Sequence, residues 1–338
     1  MLVPDRTFPF VTLIFMQTSD STINSRPKVL IAAPVHPILT SGLEAMGYET
    51  VMQDKITQAT AYKLIKDCTG VITSTRLQLD DSLIDAAPLL KWIGRMGSGM
   101  EVIDLEYAAS KGIICFSSPE GNSNAVGEHA LGMLLALIRR IVWSNDEMKE
   151  GTWLREENRG IELEGKTIGI IGYGHTGHSF ARKLQGFDVR ILGYDKYHQD
   201  GVKAPITNCE SLEHIHEEAD IVSFHVPLQA DTHHYLDTAF IAKMRKPFIL
   251  INTSRGTVVD LFALQKGLSS GKIVGACLDV FEKEPVSSMT AEMQQAMAEM
   301  IALPNVVATP HIAGYTYEAL YKMSKTLLDK LSALNIEL

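Results

Sequence analysis

A glycine-rich turn between residues 166 and 177 is the first feature with a clear chemical meaning. The segment reads KTIGIIGYGHTG, an apolar strand that passes through glycines directly into a helix. Gly172 permits the tight turn, Gly174 lets the backbone approach a pyrophosphate, and Gly177 lets the helix pack close to the strand. The free amides at the start of that helix would face the phosphate oxygens. The pattern therefore predicts a dinucleotide-binding turn.

A second strand and an acidic residue extend this pattern. Residues 188–194 read DVRILGY and are followed by Asp195. A carboxylate at this point can accept hydrogen bonds from the adenosine ribose hydroxyls. Because it also repels a 2′-phosphate, we expect NAD rather than NADP, although Lys196 beside it would soften that preference. A glycine turn that serves packing alone is the alternative interpretation.

Three side chains in the second half of the chain could carry the chemistry of a nicotinamide cofactor. Such chemistry needs a proton carrier, a cation that fixes and polarises the substrate oxygen, and a pocket that excludes water. Arg255, Glu284 and His311 each follow an apolar strand and precede a turn or a helix. Ligands of open α/β sheets bind at the ends of the strands, so we expect the three to converge there. Each residue taken singly also fits an exposed arginine, a solvated glutamate or a helix-capping histidine.

The elements that must position these residues alternate between strand and helix. Alternation of this kind builds parallel sheets covered by helices on both faces, and 338 residues exceed one compact core. We therefore predict an α/β protein with two Rossmann-like domains and doubly wound parallel sheets. The predicted strands are 28–32, 48–52, 70–74, 92–95, 113–116, 166–171, 188–194, 221–225, 248–252, 273–278 and 306–308, with a long helix over 124–142 and a last one over 317–335.

Composition excludes several other classes of protein. Lys and Arg number 31 against 40 Asp and Glu, a net charge of −9, which argues against nucleic-acid binding. The four cysteines form no CxxC pair, so we expect buried thiols in a reducing, cytoplasmic compartment and no metal site. The apolar run 130–143 is interrupted by two arginines and predicts a buried helix rather than a membrane span. A stripe of four methionines, Met289, Met293, Met297 and Met300, is interpreted as packing.

Residues 1–26 fit the rest of the chain poorly. They contain an apolar patch over 8–16 that is too short to cross a bilayer and lacks a small-residue cleavage site. We interpret them as an N-terminal extension, or as the result of a start codon placed too early with Met16 as the alternative start. A signal peptide is the other possibility.

Four motifs together resemble the D-isomer-specific 2-hydroxyacid dehydrogenase family, which includes phosphoglycerate, glycerate and D-lactate dehydrogenases. They occur in the family's order, and the resemblance runs from about Lys28 to Ala333. The resemblance implies an NAD-dependent oxidoreductase that interconverts a D-2-hydroxy acid and its 2-keto acid. The motifs are GYGHTG at 172–177, NTSRG at 252–256, DVF with EP over 279–285, and TPHIAG at 309–314.

The resemblance assigns a role to each of the three side chains. His311 would be the acid/base that exchanges a proton with the C2 oxygen. Glu284 would bond the other ring nitrogen and raise the pKa of the histidine. Arg255 would hold the substrate carboxylate with a planar pair of donors that lysine cannot copy. A loop of Met96, Gly97, Ser98 and Gly99 would offer free backbone N–H groups to the same carboxylate.

The resemblance also implies a cofactor site and a domain arrangement. Residues 27–126 plus 310–338 would form the substrate domain and 127–309 the NAD-binding domain, with a hinge whose closure expels water. A homodimer through the cofactor domain is expected, with the polar arm 145–160 reaching the partner. The expected NAD contacts are His175 and Thr176 at the pyrophosphate, Asp279 at the carboxamide, His225 and Pro227 on the adenosine side, and Thr232 and Thr253.

The substrate itself stays open. Phosphoglycerate-acting relatives usually carry a phosphate-binding arginine where Ser74 stands here, and Arg76 follows two residues later. Either Arg76 serves from a shifted loop or the substrate lacks a phosphate. A phosphoglycerate-like substrate, and with it serine biosynthesis, is favoured over glycerate, hydroxypyruvate or glyoxylate. A non-catalytic NAD(H)-sensing corepressor is the alternative class, which the retained catalytic positions disfavour.

Overall fold

In the computed structural model, residues 26–197 and 206–334 are described, and they form two parallel sheets. The first sheet has the order β2-β1-β3-β4-β5 and is covered by short helices. Its strands are β1 (Lys28–Ala32), β2 (Glu49–Met52), β3 (Cys68–Thr73), β4 (Trp92–Arg95) and β5 (Ile114–Ser117), and its helices are α1 (Pro37–Ala45), α2 (Gln58–Leu64), α3 (Asp81–Asp85) and α4 (Leu105–Ser110).

The second sheet has the order β12-β11-β10-β9-β6-β7-β8 and all its ladders are parallel. The predicted fold class is confirmed. Its strands are β6 (Thr167–Ile171), β7 (Arg190–Tyr194), β8 (Thr207–Asn208), β9 (Ile221–Phe224), β10 (Phe248–Asn252), β11 (Ile273–Leu278) and β12 (Val306–Ala308); its helices are α7 (His175–Leu184), α8 (Glu213–Glu218), α9 (Thr238–Lys243), α10 (Leu261–Ser269) and α11 (Ala291–Ile301).

Each sheet has apolar clusters of its own on both faces, as continuous apolar strands require. Strands β6, β9 and β10 are buried along their whole length, because helices cover the sheet on both sides. These layers place the ends of β10, β11 and β12 side by side, and the loops that carry the predicted chemistry follow those ends.

Two further helices, α5 (Pro119–Ile138) and α12 (Tyr317–Ala333), connect the two sheets, and α6 (Ile141–Lys149) lies between α5 and β6. Early in α5, Ala125 packs in a cluster of the first sheet, whereas Leu134 and Ile138 pack against the second. Helix α12 returns to the first unit, where Met323 and Leu327 pack with β1 and α1. The chain therefore passes between the two units twice; the domain bounds expected from the resemblance stay a prediction.

The predicted helix over 124–142 was wrong at both ends. It begins at Pro119, because proline is favoured in the first turn of a helix, and it ends at Ile138. Arg140 adopts a left-handed conformation with φ 54°, after which α6 begins at Ile141 and extends into the segment 145–160 that was expected to be a polar arm. The ends of the eleven predicted strands agree with the observed ends within two residues. Strand β8 was missed because it has only two residues. The last helix, α12, was predicted to end at about residue 335, and within the described residues it ends at Ala333.

The described residues also bear on the expectations for the methionine stripe, the cysteines, membrane spans and metal sites. Met297 and Met300 are buried on α11, Met293 is partly buried there, and Met289 is buried just before it, so the packing interpretation is confirmed. All four cysteines are free thiols. Within 26–197 and 206–334, no helix is long and apolar enough to cross a bilayer, and no His, Cys, Asp and Glu cluster could hold a metal. All but the last residue of the extension predicted over 1–26 lies outside the described residues.

Two glycines of α5 provide a matched test of the packing between α5 and α12. A methyl group at Gly121 would lie 2.5 Å from the backbone nitrogen of Met323, whereas one at Gly132 would meet no atom within 4 Å. We expect Gly121→Ala to destabilise the protein by about 1–3 kcal/mol through overpacking. Gly132→Ala should instead stabilise it by roughly 0.5–1 kcal/mol, because alanine loses less backbone entropy. Urea unfolding measures the free energy of unfolding of both variants. Equal stabilities of the two variants would show that α12 can shift away from residue 121 without an energetic cost.

Candidate active site

His311 and Glu284 form the central contact of the site. His311 Nδ1 lies 2.5 Å from Glu284 Oε2, and the other carboxylate oxygen of Glu284 accepts a hydrogen bond of 2.9 Å from the Phe281 amide. The glutamate is thus fixed at both oxygens. The other ring nitrogen of His311, Nε2, has no hydrogen-bond partner among the described residues. The two residues follow neighbouring strands, β11 and β12, and the parallel register brings them together.

A buried carboxylate holds the loop that carries His311. Asp279 is fully buried at the end of β11 and accepts hydrogen bonds of 2.8 Å from the amides of Ile312 and Ala313. It also accepts one of 2.5 Å from the Thr309 hydroxyl. His311 itself has φ 55°, a left-handed conformation that is uncommon for a non-glycine residue. The Asp279 contacts stabilise this conformation, a role that the sequence did not suggest; its expected contact with the carboxamide stays a prediction.

Arg255 is positioned by the last residue of β10. The Asn252 side chain donates to the Arg255 carbonyl and accepts from both the amide and the hydroxyl of Ser254, which closes the loop. The Arg255 guanidinium contacts Glu101, with 2.8 Å from Nε to Oε1. Glu101 belongs to the first unit, so this ion pair crosses between the two units. Sequence reasoning missed Glu101, because it lies in no motif of the predicted site.

The charges of the site shift the pKa values of its groups. The hydrogen bond and negative charge of Glu284 raise the pKa of His311 above its ordinary value, although burial and Arg255 oppose the shift. Burial by itself raises the pKa of Glu284, but its hydrogen bonds to His311 and the Phe281 amide outweigh burial and leave the pKa lowered. Arg255 is close enough to influence both groups electrostatically. The three predicted catalytic side chains therefore occupy one charged cluster.

Two of the backbone amides in loop 96–99 already have acceptors within the protein. The amide of Met96 donates to the Thr73 carbonyl at 2.8 Å, since β4 extends its ladder with β3 by one more bond. The amide of Gly97 donates to the Ser118 hydroxyl at 3.1 Å. In loop 96–99, the amides of Ser98 and Gly99 have no acceptor among the described residues. These two amides are the backbone donors that the loop can offer to a carboxylate.

Two other arginines bear on the substrate. Arg95, the last residue of β4, is buried, and its Nε has no hydrogen-bond partner among the described residues. Burial, together with repulsion by Arg255, lowers the pKa of Arg95 to about 10, so it stays charged at neutral pH. Arg76 is exposed in the loop after β3, and its guanidinium donates to the Asp54 carbonyl. Sequence reasoning did not single out Arg95, because its burial cannot be read from the motif.

The glycine-rich turn has the geometry expected for a dinucleotide. Gly172 has φ 90°, and a methyl group there would lie 2.6 Å from the His225 carbonyl oxygen, whereas one at Gly174 would meet no atom within 4 Å. A methyl group at Gly177 would overlap the Gly172 carbonyl oxygen. Helix α7 begins at His175, with Thr176 next, so both lie in its first turn. Open space in front of a helix N-terminus suits a pyrophosphate.

Asp195 and Lys196 lie at the end of β7, beside this turn. Asp195 is buried, and its two carboxylate oxygens accept hydrogen bonds from the amides of Tyr173 and Tyr197, at 2.8 and 2.9 Å. Its charge is thereby fixed next to the turn. Lys196 forms an ion pair with Asp231, a residue in the loop after β9. The ammonium group that was expected to soften the preference for NAD is therefore engaged elsewhere.

The remaining predicted cofactor residues differ in exposure. His225 is buried, with Nε2 2.8 Å from the Ser223 hydroxyl, and burial lowers its pKa to about 3, so the ring is neutral. Pro227 is exposed, and its carbonyl accepts from the buried Thr232 hydroxyl, which closes that loop. The hydroxyl of Thr253 is buried without a partner among the described residues. An unpaired buried hydroxyl beside the Arg255 loop fits a site that a ligand completes.

Comparison with known proteins decides the family. The model of the D-isomer specific 2-hydroxyacid dehydrogenase, NAD binding domain, matches residues 131–313, more than half of the chain. The chain belongs to this family. The matched residues include the glycine-rich turn, the Arg255 loop, Glu284 and His311. The open turn at Gly174 and the unpaired Thr253 hydroxyl fit the NAD that such a domain binds.

Individual relatives carry different names. The chain is 38% identical over 275 residues to a glyoxylate reductase of Thermofilum pendens, covering 80% of this chain and 79% of the relative. It is 36% identical over 295 residues to a D-3-phosphoglycerate dehydrogenase of Methanocaldococcus jannaschii, covering 86% of this chain but 54% of the relative. The chain thus spans about half the length of that relative. The structure of a D-lactate dehydrogenase of Aquifex aeolicus with NAD and lactic acid superposes with a TM-score of 0.78 at 28% identity, covering 91% and 95% of the two chains.

The position of Asp195 generates a prediction on cofactor selectivity. We expect Asp195→Ala to reduce the preference for NAD over NADP by about tenfold, or about 1.4 kcal/mol, because a buried negative charge near the ribose repels a 2′-phosphate. Titration of both cofactors by calorimetry measures the ratio of dissociation constants. Asp195→Asn, which removes the charge while keeping the size, is the matched variant. A ratio unchanged in both variants would show that the ribose is recognised elsewhere.

Proposed function

We propose that this protein is an NAD-dependent oxidoreductase that interconverts a D-2-hydroxy acid and its 2-keto acid. The observation that carries the proposal is the cluster of His311, Glu284 and Arg255 at the ends of adjacent strands in a chain of this family. The cluster combines a proton carrier, its fixed partner and a cation, the set that reduction of a carbonyl requires.

The residues suggest how the reaction would run in the direction of reduction. Arg255 and the amides of Ser98 and Gly99 would hold the substrate carboxylate. His311, kept protonated by Glu284, would donate the Nε2 proton to the keto oxygen. When bound, the nicotinamide of NADH supplies the hydride to C2. In oxidation, a neutral His311 would take the hydroxyl proton back. Closure of the two units over the site would exclude water.

Two substrate classes deserve separate proposals. A phosphoglycerate-like acid is supported by the phosphoglycerate dehydrogenase relative, and Arg76 or the buried Arg95 would supply a cation for the phosphate. Serine biosynthesis would follow from this substrate. A small unphosphorylated acid such as glyoxylate or hydroxypyruvate is supported by the glyoxylate reductase relative, which this chain matches over most of its length. A non-catalytic NAD(H) sensor receives less support, because every predicted catalytic position is present.

We also propose a homodimer through the cofactor domain, in a cytoplasmic setting that the free thiols favour. The segment from α6 to residue 161 exposes several large apolar side chains that a partner would cover, with Trp153 72% exposed. The others are Ile141, Val142, Met148, Leu154 and Ile161.

Replacement of His311 tests the proposed reaction. In an assay of NADH oxidation with a panel of 2-keto acids, we expect His311→Asn to reduce kcat by 10²–10⁴-fold, because the proton donor is lost. The dissociation constant for NADH should stay unchanged, since His311 belongs to the substrate side. A variant as active as the parent would remove His311 from the mechanism.

The same panel separates the substrate proposals. Turnover of 3-phosphohydroxypyruvate at lower KM than hydroxypyruvate and glyoxylate would support the phosphorylated acid, and the reverse order would support the small acid. NADH binding without turnover of any keto acid would favour the non-catalytic sensor.

The raised pKa of His311 gives a prediction for pH dependence. Reduction requires protonated His311, so kcat/KM for a keto acid should be constant at low pH and fall as pH rises through the raised His311 pKa. Glu284→Gln removes the charge that raises this pKa, so the fall should move to lower pH. The pH profile of both proteins measures the shift. A midpoint that stays in place in Glu284→Gln would exclude Glu284 as the cause.

A further inference from the structure

The ion pair between Glu101 and Arg255 places a protein carboxylate on the guanidinium that is expected to hold the substrate. Glu101 Oε1 lies 2.8 Å from Arg255 Nε, and Oε2 lies 3.4 Å from Nη2. The two side chains are 32% and 26% exposed, so the pair is partly removed from water. It joins residues 154 positions apart, one from each sheet unit. The pair is therefore a tertiary contact inside the predicted active site.

Three of the five N–H groups of the guanidinium have acceptors among the described residues. A guanidinium has five N–H groups in a planar fork. Glu101 accepts hydrogen bonds from the N–H on Nε and from one N–H on Nη2. The Ser254 carbonyl accepts one of 2.8 Å from an N–H on Nη1. Within the described residues, one N–H on each terminal nitrogen has no protein acceptor. Donors on the two terminal nitrogens of a guanidinium can bind the two oxygens of one carboxylate.

The neighbouring backbone is shaped around the pair. A methyl group on Gly99 would overlap both Arg255 Nη2 and Glu101 Oε2. Gly99 thus borders the guanidinium, and only glycine at this position leaves room for it. Burial by itself raises the pKa of Glu101, but the charge and hydrogen bonds of Arg255 outweigh it, so the carboxylate has a lowered pKa and is ionised.

We propose that Glu101 is a positioning residue that fixes the Arg255 guanidinium with its terminal N–H pair directed at the substrate carboxylate. This inference rests on the proposed function, because it assumes that Arg255 binds that carboxylate. Without Glu101, the arginine side chain would sample several rotamers and would present its fork only part of the time. Glu101 would then control substrate affinity without touching the substrate.

Steady-state kinetics of Glu101→Gln test this role. The amide can still accept one hydrogen bond but cannot hold both donors as a carboxylate does. We expect KM for the keto acid, and the dissociation constant of oxamate from the NADH complex, to rise about tenfold or more. We expect kcat to change less than about threefold and NADH affinity to stay unchanged, since the effect concerns the ground-state hold on the carboxylate. Glu101→Asp, which keeps the charge on a shorter side chain, should recover part of the affinity.

Two controls separate positioning from a general effect. Glu106→Gln removes the same charge five residues later, on an exposed position of α4, and should leave KM unchanged. In an Arg255→Lys background, which lacks the fork, Glu101→Gln should have little further effect. Equal losses in both backgrounds would overturn the proposal, as would an unchanged KM. A lower KM would also overturn it, because Glu101 would then compete with the substrate for Arg255.

Failure of the proposed function gives a different experimental result from failure of the Glu101 role. If the parent protein turns over no keto acid and does not bind oxamate, the proposed function fails and the Glu101 role falls with it. If the parent is active and Glu101→Gln matches it, only the Glu101 role fails.

Discussion

The parallel alignment of β10, β11 and β12 is the constraint on which the site depends. Parallel strands end at the same edge of a sheet, so loops that are far apart in the chain begin within a few ångströms of one another. Arg255, Glu284 and His311 each belong to one of these loops. The fully buried Asp279 then fixes the position of His311, because its carboxylate accepts hydrogen bonds from amides of the loop that carries His311. Loss of this alignment would separate the proton carrier from its partner.

Charge compensation is the second principle of the site. Two guanidinium groups, Arg95 and Arg255, lie near one another in a partly desolvated region, which is costly unless a negative group is present. Glu101 supplies that charge from the first unit, while Glu284 pairs with His311. The cluster can still accept an anion, because the amides of Ser98 and Gly99 and part of the Arg255 fork have no acceptor among the described residues. The charged groups that bind a substrate carboxylate would therefore be in position before the substrate arrives.

Most of the architecture could be predicted because it follows from local patterns. Short apolar runs bounded by polar turns predicted eleven strands, and the part of the chain that the structure describes adds only the two-residue β8. The helix over 124–142 was mispredicted because hydrophobicity continues across Arg139 and Arg140, whereas the break at Arg140 depends on its left-handed backbone and its contacts with Asn158 and Pro304. Such long-range contacts leave no signal in a single sequence.

The sequence by itself determined the dinucleotide turn, the acidic end of β7 and the three catalytic candidates, because each depends on residue type within a few positions of a strand. Only the tertiary structure decided that Asp279 holds the His311 loop, that Met96 and Gly97 have engaged amides, and that Glu101 pairs with Arg255. The physical reason is the same in each case. A hydrogen bond or ion pair between residues distant in the chain depends on how the sheets are placed, and that placement is a property of the whole fold.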